Sequence, residues 1–298
     1  MSQIGKVWFN GKLLDYEEVK VPIDTHALHY GSSVFEGIRA YETKDGRVAV
    51  FRNVDHVNRF FYSMETLRMK PKFTKEQIRE AIKEVVRVNN LKDCYIRPLA
   101  FYSTGGIGLD FRKNNFDIAI FAIPWGKYLK EEVRVTIVSY ARPNSLITNP
   151  WAKIGGLYVN SSLATLEAKD RGYDEALMLD LNGYLAEGPG ENVFLIYKDK
   201  KLAVTPPQGS ILPGITRDTI MTILREEFGY TVVERNVTVN EIFDADELFF
   251  TGTAAEVTPI KEVDGQEFET SFGKKVAEAY QKVVRGEMEK YKYWLDFV

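Results

Sequence analysis

The chain has 298 residues, 45% of them hydrophobic and 27% charged, so it can bury a sizeable core and sits near the length at which chains divide into two domains. Its net charge of −3 excludes a general nucleic-acid binder, which needs a concentrated positive field, and no nucleic-acid partner is expected. Cys94 is the only cysteine, which excludes an intrachain disulfide, and no apolar run approaches the ~20 residues needed to span a bilayer.

Met1 to Trp8 has no apolar core of signal-peptide length, so a cytoplasmic protein without membrane association is expected. Asn10-Gly11 between Val7-Trp8-Phe9 and Leu13-Leu14 predicts a two-residue hairpin. Asp45-Gly46 separates Ile38–Tyr41 from Val48–Phe51 in a similar way. Asp55 to Met69 reads as a helix. Thr74 to Gln77 forms a capping box, and Ile78, Ile82, Val85 and Val86 follow on one helical face. Strands are predicted at Tyr95–Tyr102 and Phe116–Ile123, and then at Val133–Tyr140, Val193–Tyr197, Thr231–Arg235 and Glu247–Phe250. Asn182-Gly183 joins Ala176–Leu181 to Tyr184-Leu185-Ala186 as a second hairpin. Thr216 to Phe228 and Lys274 to Tyr291 read as further helices. Strands and helices come in unequal groups, which predicts an α+β fold with mixed sheets and flanking helices. The Pro124-Trp125-Gly126-Lys127 segment suggests a small N-terminal domain over 1–123, a linker over 124–132 and a larger domain over 133–298.

Several segments could carry chemistry. Leu212-Pro213-Gly214-Ile215-Thr216 leads into a helix whose first-turn N–H groups suit a phosphate; its plainer reading is an ordinary N-cap. Thr251-Gly252-Thr253-Ala254-Ala255 is a second donor-rich turn, or simply a strand exit. Arg52 could add a guanidinium, although a lone Arg is usually solvated. Lys153 lies among Trp151, Ala152 and Ile154, surroundings that could depress an amine's pKa, whereas most lysines are exposed. Glu187, beside Gly188-Pro189-Gly190-Glu191-Asn192, could face a heterocyclic nitrogen or be a loop carboxylate. Tyr95 and Arg97 alternate along one strand and share a face that would suit a carboxylate. His26 and His29 lack a third ligand at a convincing spacing and read as structural, so no metal is expected. Gly105-Gly106-Ile107-Gly108 resembles a dinucleotide loop only loosely.

Taken in order, these segments resemble one family. Tyr30-Gly31-Ser32-Ser33-Val34-Phe35-Glu36-Gly37-Ile38-Arg39 resembles the N-terminal signature of branched-chain aminotransferases, class IV (fold-type IV) pyridoxal-5′-phosphate (PLP) enzymes. Lys153-Ile154-Gly155-Gly156 with Tyr158 is similar to their Schiff-base segment, and Glu187 to Asn192 to their pyridine-nitrogen motif. Leu212 to Arg217 resembles the phosphate cup, and Thr251 to Glu256 the family's Ser/Thr-Gly-Thr-Ala-Ala-Glu turn. Leu157 stands where the family commonly has Asn, and 103–110 matches less well than its surroundings.

The resemblance implies a two-domain fold like that of D-amino-acid aminotransferase, with PLP as cofactor and Lys153 as catalytic residue. It implies cofactor contacts from Arg52, Tyr158, Glu187, Leu212, Gly214, Ile215, Thr216, Gly252 and Thr253. It places Tyr30, Phe35, Gly37, Arg39, Tyr95, Arg97, Tyr128, Thr253 and Ala254 at the substrate. The implied reaction is ping-pong transamination between L-leucine, L-isoleucine or L-valine and 2-oxoglutarate, through pyridoxamine phosphate. Within the class the alternatives are a D-amino-acid transaminase, an (R)-amine transaminase or an aminodeoxychorismate lyase, using the same lysine and glutamate. A non-catalytic PLP carrier is the alternative from another class, and it would have no use for the Tyr95/Arg97 pair. A homodimer is the implied minimal unit, with a hexamer as the larger assembly.

Overall fold

The computed structural model describes residues 4–126 and 129–298, so Tyr128 lies outside the described residues. The chain forms two compact units. One comprises Met1–Gly126, Ala152–Leu157 and Val283–Val298, and the other Lys127–Trp151 and Tyr158–Lys282. The linker expected over 124–132 marks only one of the crossings. The short segment carrying Lys153 and the C-terminal segment both belong to the first unit, through pairings that adjacency in sequence does not reveal.

The first unit is built on an eight-stranded sheet. Its hairpin Lys6–Phe9/Lys12–Asp15 turns at Asn10 (φ 50°) and Gly11 (φ 91°), the positive angles that a two-residue turn demands. Asn10 does more than turn: its side chain accepts from the Ile118 N–H at 2.9 Å and donates to Asp117 at 2.8 Å. Every pairing in this sheet is antiparallel, with Cys94–Tyr102 at its centre between Ile38–Glu42 and Phe116–Pro124. The edge strand Ser33–Phe35 also pairs with Cys94–Tyr102. Helices Asn53–Thr66 and Lys75–Val88 bury Val57, Phe60, Met64, Ile78, Ile82 and Val85 against Ile38, Ala40, Ile96 and Ile120. The capping box at Thr74 forms as expected. The Thr74 hydroxyl accepts from the Gln77 N–H, and the Gln77 side chain accepts from the Thr74 N–H.

Strand Leu295–Phe297 completes the sheet beside Val48–Phe51. Asp296 fixes it, accepting from Arg79 at 2.7 and 2.8 Å and from Asn53 at 2.8 Å. Burial pushes the Asp296 carboxyl up, but Arg79, Asn53 and Lys83 outweigh it and hold the group below the usual range. Its contribution to stability is therefore full above the unfolded value and is lost as pH falls through the folded one. The stability advantage of the wild type over Asp296→Asn should shrink as pH falls from about 5 to about 3, read from denaturant midpoints at each pH. An unchanged difference would show that the carboxylate charge contributes nothing.

The helix expected over Lys274 to Tyr291 is shorter: Ser271–Val284 is helical, and Glu289–Trp294 follows as a 3-10 turn. Gly286, at φ 70°, ends the helix in the left-handed region. Cys94 is fully buried, and burial pushes its thiol up to about 12. A thiol-reactive disulfide reagent should therefore find no reactive thiol in the native protein and one in urea. Rapid native labelling would contradict this placement.

The second unit carries a nine-stranded mixed sheet. Val133–Ile137 runs parallel to both Glu175–Leu179 and Glu256–Val263, and Leu202–Thr205 runs parallel to Thr231–Glu234. The remaining pairings are antiparallel, including the hairpin of Glu175–Leu179 with Leu185–Glu187, which turns at Gly183 (φ 79°). Leu177, Val193, Leu195, Leu248, Phe250 and Ile260 pack one core cluster. Helix Tyr158–Asp170 buries only Ser161, Ala164 and Ala168, and leaves Val159, Leu163 and Leu166 exposed. Among the described residues no helix is long and apolar enough to cross a membrane.

Candidate active site

Lys153 is fixed through its backbone. Its N–H donates to Ser63 Oγ at 2.9 Å, and its carbonyl accepts from the Phe35 N–H at 3.0 Å. An isolated bridge between Val34 and Ile154 extends the second contact. The glycines after the lysine have a steric cause. A Cβ on Gly155 would collide with Ser33 Oγ, and a Cβ on Gly31 would stand 2.6 Å from Gly156 Cα. Gly31 is also at φ 63°. Only a glycine pair lets this segment lie against 31–35, with the Gly156 N–H donating to the Gly31 carbonyl at 3.0 Å. The Lys153 amine then lies 4.8 Å from the centre of the Phe35 ring.

Arg97 lies beside the same ring, its guanidinium 4.6 Å from the Phe35 centre. It donates to the Tyr95 hydroxyl at 2.9 Å, and its Nε is buried without a hydrogen-bond partner. Gly37 is required here because a Cβ would strike the Tyr95 hydroxyl. Arg39 is buried, with its guanidinium over Tyr41. Tyr30 is half exposed and packs against His26, which bonds Ser32 Oγ at 2.7 Å and the Gly108 carbonyl at 2.9 Å. The first unit thus brings Phe35, Gly37, Tyr95, Arg97 and Lys153 together.

One residue of the Tyr30–Arg39 signature has a partner set that its sequence does not announce. Glu36 is fully buried and accepts from His56 Nδ1 at 2.7 Å and from Arg59 at 2.7 and 2.9 Å. Burial alone would push the Glu36 carboxyl up; Arg59 and His56 outweigh it and hold it far below the usual range. Burial in turn pushes the His56 imidazole down, and the Glu36 carboxylate accepts from both side chains. Arg52 precedes the same helix in a left-handed conformation (φ 50°). Its N–H donates to the Trp294 carbonyl, and its Nε donates to Asp55 at 2.7 Å.

The second unit gathers a different set. Glu187 is buried and accepts from Arg142 at 2.6 Å, from Asn192 Nδ2 at 2.9 Å and from the Leu212 N–H at 3.3 Å. Asn192 Nδ2 also donates to the Leu212 carbonyl at 3.0 Å, and its Oδ1 occupies the space a Cβ on Gly214 would need. Carboxylate, amide and turn are therefore one hydrogen-bonded body. Arg142 is not among the residues that the sequence singles out. It lies outside any strand or helix, held by Ser161 Oγ at 3.0 Å, and nothing local in its sequence marks it.

Gly214 is the N-cap of helix Ile215–Glu226, and no side chain caps that end. Thr216 is buried in its first turn. Arg217, the last residue of the cup motif, is structural: it bonds Thr205 Oγ1, the Pro206 carbonyl and Glu234. The turn Thr253–Ala255 joins the paired strands Glu247–Gly252 and Glu256–Val263. Thr251 Oγ1, next to it, is buried without a hydrogen-bond partner. Tyr158 opens helix Tyr158–Asp170 and is half-buried. A helix start without a side-chain cap and an orphaned hydroxyl are donors that a phosphate would use, and a buried carboxylate held by an arginine is the acceptor that a protonated heterocycle would use, so these groups fit PLP.

The sequence profile of the family described as "Amino-transferase class IV" matches residues 33–263. The chain is 42% identical to the branched-chain-amino-acid aminotransferase of Pseudomonas aeruginosa, over 99% of this chain and 97% of that one. It is 41% identical to the Escherichia coli K12 protein of the same name, over 98% and 97%. Among solved structures it is similar to the branched-chain aminotransferase of the thermophilic archaeon Thermoproteus uzoniensis with norvaline (TM-score 0.94, 43% identity, 99% of each chain). It is also similar to the branched-chain amino acid aminotransferase of Thermobaculum terrenum in its PLP-form (TM-score 0.92, 34% identity, 99% of this chain and 98% of that one).

Proposed function

Because this chain belongs to the class IV aminotransferases, we propose that it exchanges amino groups between L-branched-chain amino acids and 2-oxoglutarate, with PLP as its cofactor. The observation that carries this reading is the pair of cations around one apolar ring: Lys153 Nζ at 4.8 Å and the Arg97 guanidinium at 4.6 Å from the Phe35 centre. Such a wall offers an aliphatic side chain its apolar face and a distal carboxylate its guanidinium. Both kinds of substrate are required if leucine is to give its amino group to 2-oxoglutarate.

PLP supplies an aldehyde that takes the amino group and a ring that takes electron density from the substrate Cα. Lys153 would hold the aldehyde carbon, then serve as general base at the substrate Cα and return the proton to the carbon beside the ring. Glu187 would hold a proton on the ring nitrogen, its charge kept in place by Arg142 and Asn192. Arg52, Ile215, Thr216 and Thr253 would take the phosphate, with Leu212, Gly214 and Gly252 shaping its cradle, and Tyr158 would bond the phenolic oxygen. Tyr95 and the backbone at Thr253 and Ala254 would take the α-carboxylate, and Arg97 the distal one. Tyr30, Gly37, Arg39 and Tyr128 complete the proposed substrate set.

We further propose a cytoplasmic homodimer or larger assembly. Support for the assembly is the set of exposed apolar side chains in the second unit, Leu146, Ile147, Val159 and Leu166. Light scattering on the purified protein tests the assembly, and a monomer would remove it. The activity is tested by mixing the protein with L-leucine and 2-oxoglutarate and quantifying glutamate. A yellow protein that is inert to L-leucine but active with D-alanine or (R)-1-phenylethylamine would overturn the substrate assignment and leave the family intact.

A further inference from the structure

We infer that Ser63 is a positioning residue for Lys153, acting from a helix that also holds the Phe35–Gly37 wall. The inference rests on Lys153 being the Schiff-base lysine. Ser63 is fully buried, and its hydroxyl oxygen accepts from the Lys153 N–H at 2.9 Å. Ser63 follows His56 and Arg59 at intervals of seven and four residues, so all three lie on one face of helix Asn53–Thr66. His56 and Arg59 hold Glu36. Glu36 adjoins Phe35, whose N–H donates to the Lys153 carbonyl at 3.0 Å.

These contacts close a ring: helix, Glu36, Phe35, Lys153, Ser63, helix. Both peptide groups of Lys153 are tied into it, one to the helix and one to the strand. A lysine has a flexible four-carbon stem, and its amine is placed only as well as its Cα. Opening the ring at Ser63 frees the lysine from the helix while leaving Phe35, Tyr95 and Arg97 where they are. The loss should therefore fall on the chemical step and spare substrate binding.

The test uses the purified full-length protein with cofactor. In Ser63→Ala, kcat for L-leucine should fall about 10- to 100-fold with KM changed less than about threefold. Amide exchange at Lys153 should accelerate beyond what the loss of global stability explains. Val85→Ala, a core truncation in the other helix, supplies the comparison at similar stability. If Ser63→Ala does not fold, Ser63→Cys carries the same expectations, because a thiol is a weak acceptor. Wild-type kcat in the Ser63 variant, or an equal fall in kcat and equal exchange in Val85→Ala, would overturn the inference. Turnover in Lys153→Ala would instead overturn the functional reading, whatever Ser63 does.

Discussion

Replacing Lys153 by alanine should abolish glutamate formation from L-leucine and 2-oxoglutarate, with a fall in kcat of about 10⁴-fold or more. The size follows from the number of duties placed on one amine. It would hold the cofactor, take the proton from the substrate Cα and return it, all from its place beside Phe35. The fold should survive, because the hydrogen bonds of residue 153 to Ser63 and Phe35 are made by its peptide groups and pass unchanged to alanine. The check has two parts. The variant should lack the visible absorbance of a Schiff base, and its denaturant midpoint should match the wild type's when both are compared free of cofactor. Turnover within about tenfold of the wild type would remove Lys153 from the reaction.

Glu187→Gln should give the second-largest loss, of about 10²- to 10⁴-fold in kcat. Two costs combine. The amide has no charge with which to keep a proton on the ring nitrogen, so the ring loses capacity for electron density from the Cα. The Arg142 guanidinium, 2.6 Å from the carboxylate, also loses its buried counter-charge. Breaking one partner of such a pair costs about 3–5 kcal/mol. Glu187→Gln should therefore lower both activity and the unfolding midpoint, unlike Lys153→Ala. Arg142→Ala should also destabilise, because it leaves the carboxylate uncompensated. If Glu187→Gln keeps full activity, the carboxylate does not govern the ring.

The strands and turns that frame these groups are readable because their signals are local. Asn10-Gly11 and Asn182-Gly183 between apolar runs mark hairpins through local turn chemistry: positive φ at Asn10, Gly11 and Gly183, and Asp180 Oδ1 accepting from the Asn182 and Tyr184 N–H groups. Thr74 to Gln77 specifies a helix start through bonds that span three residues. The supports of the candidate site are of another kind. Ser63 lies 90 residues from Lys153 in the sequence, and Glu36 lies 20 and 23 from His56 and Arg59. No periodicity connects such positions. Helix Tyr158–Asp170 escapes the sequence reading because its exposed Val159, Leu163 and Leu166 blur the one-sided pattern by which a helix is recognised. The Gly155-Gly156 pair can be quoted as a motif, but its steric cause emerges only once Gly31 and Ser33 lie against it.

The C-terminal strand has a consequence for how the chain is made. Leu295–Phe297 closes the sheet beside Val48–Phe51, and Asn53 meets Asp296 across 243 residues of sequence. At roughly 5–20 residues per second, a ribosome needs about 10–50 seconds to deliver the second partner after the first. If the first unit forms during that interval, one side of Val48–Phe51 is left with unpaired peptide groups open to any strand nearby. Phe35, Ser63 and Lys153 are all synthesised before the strand that closes the sheet. Chaperone demand during synthesis should therefore concentrate on that open side until Leu295–Phe297 pairs with it.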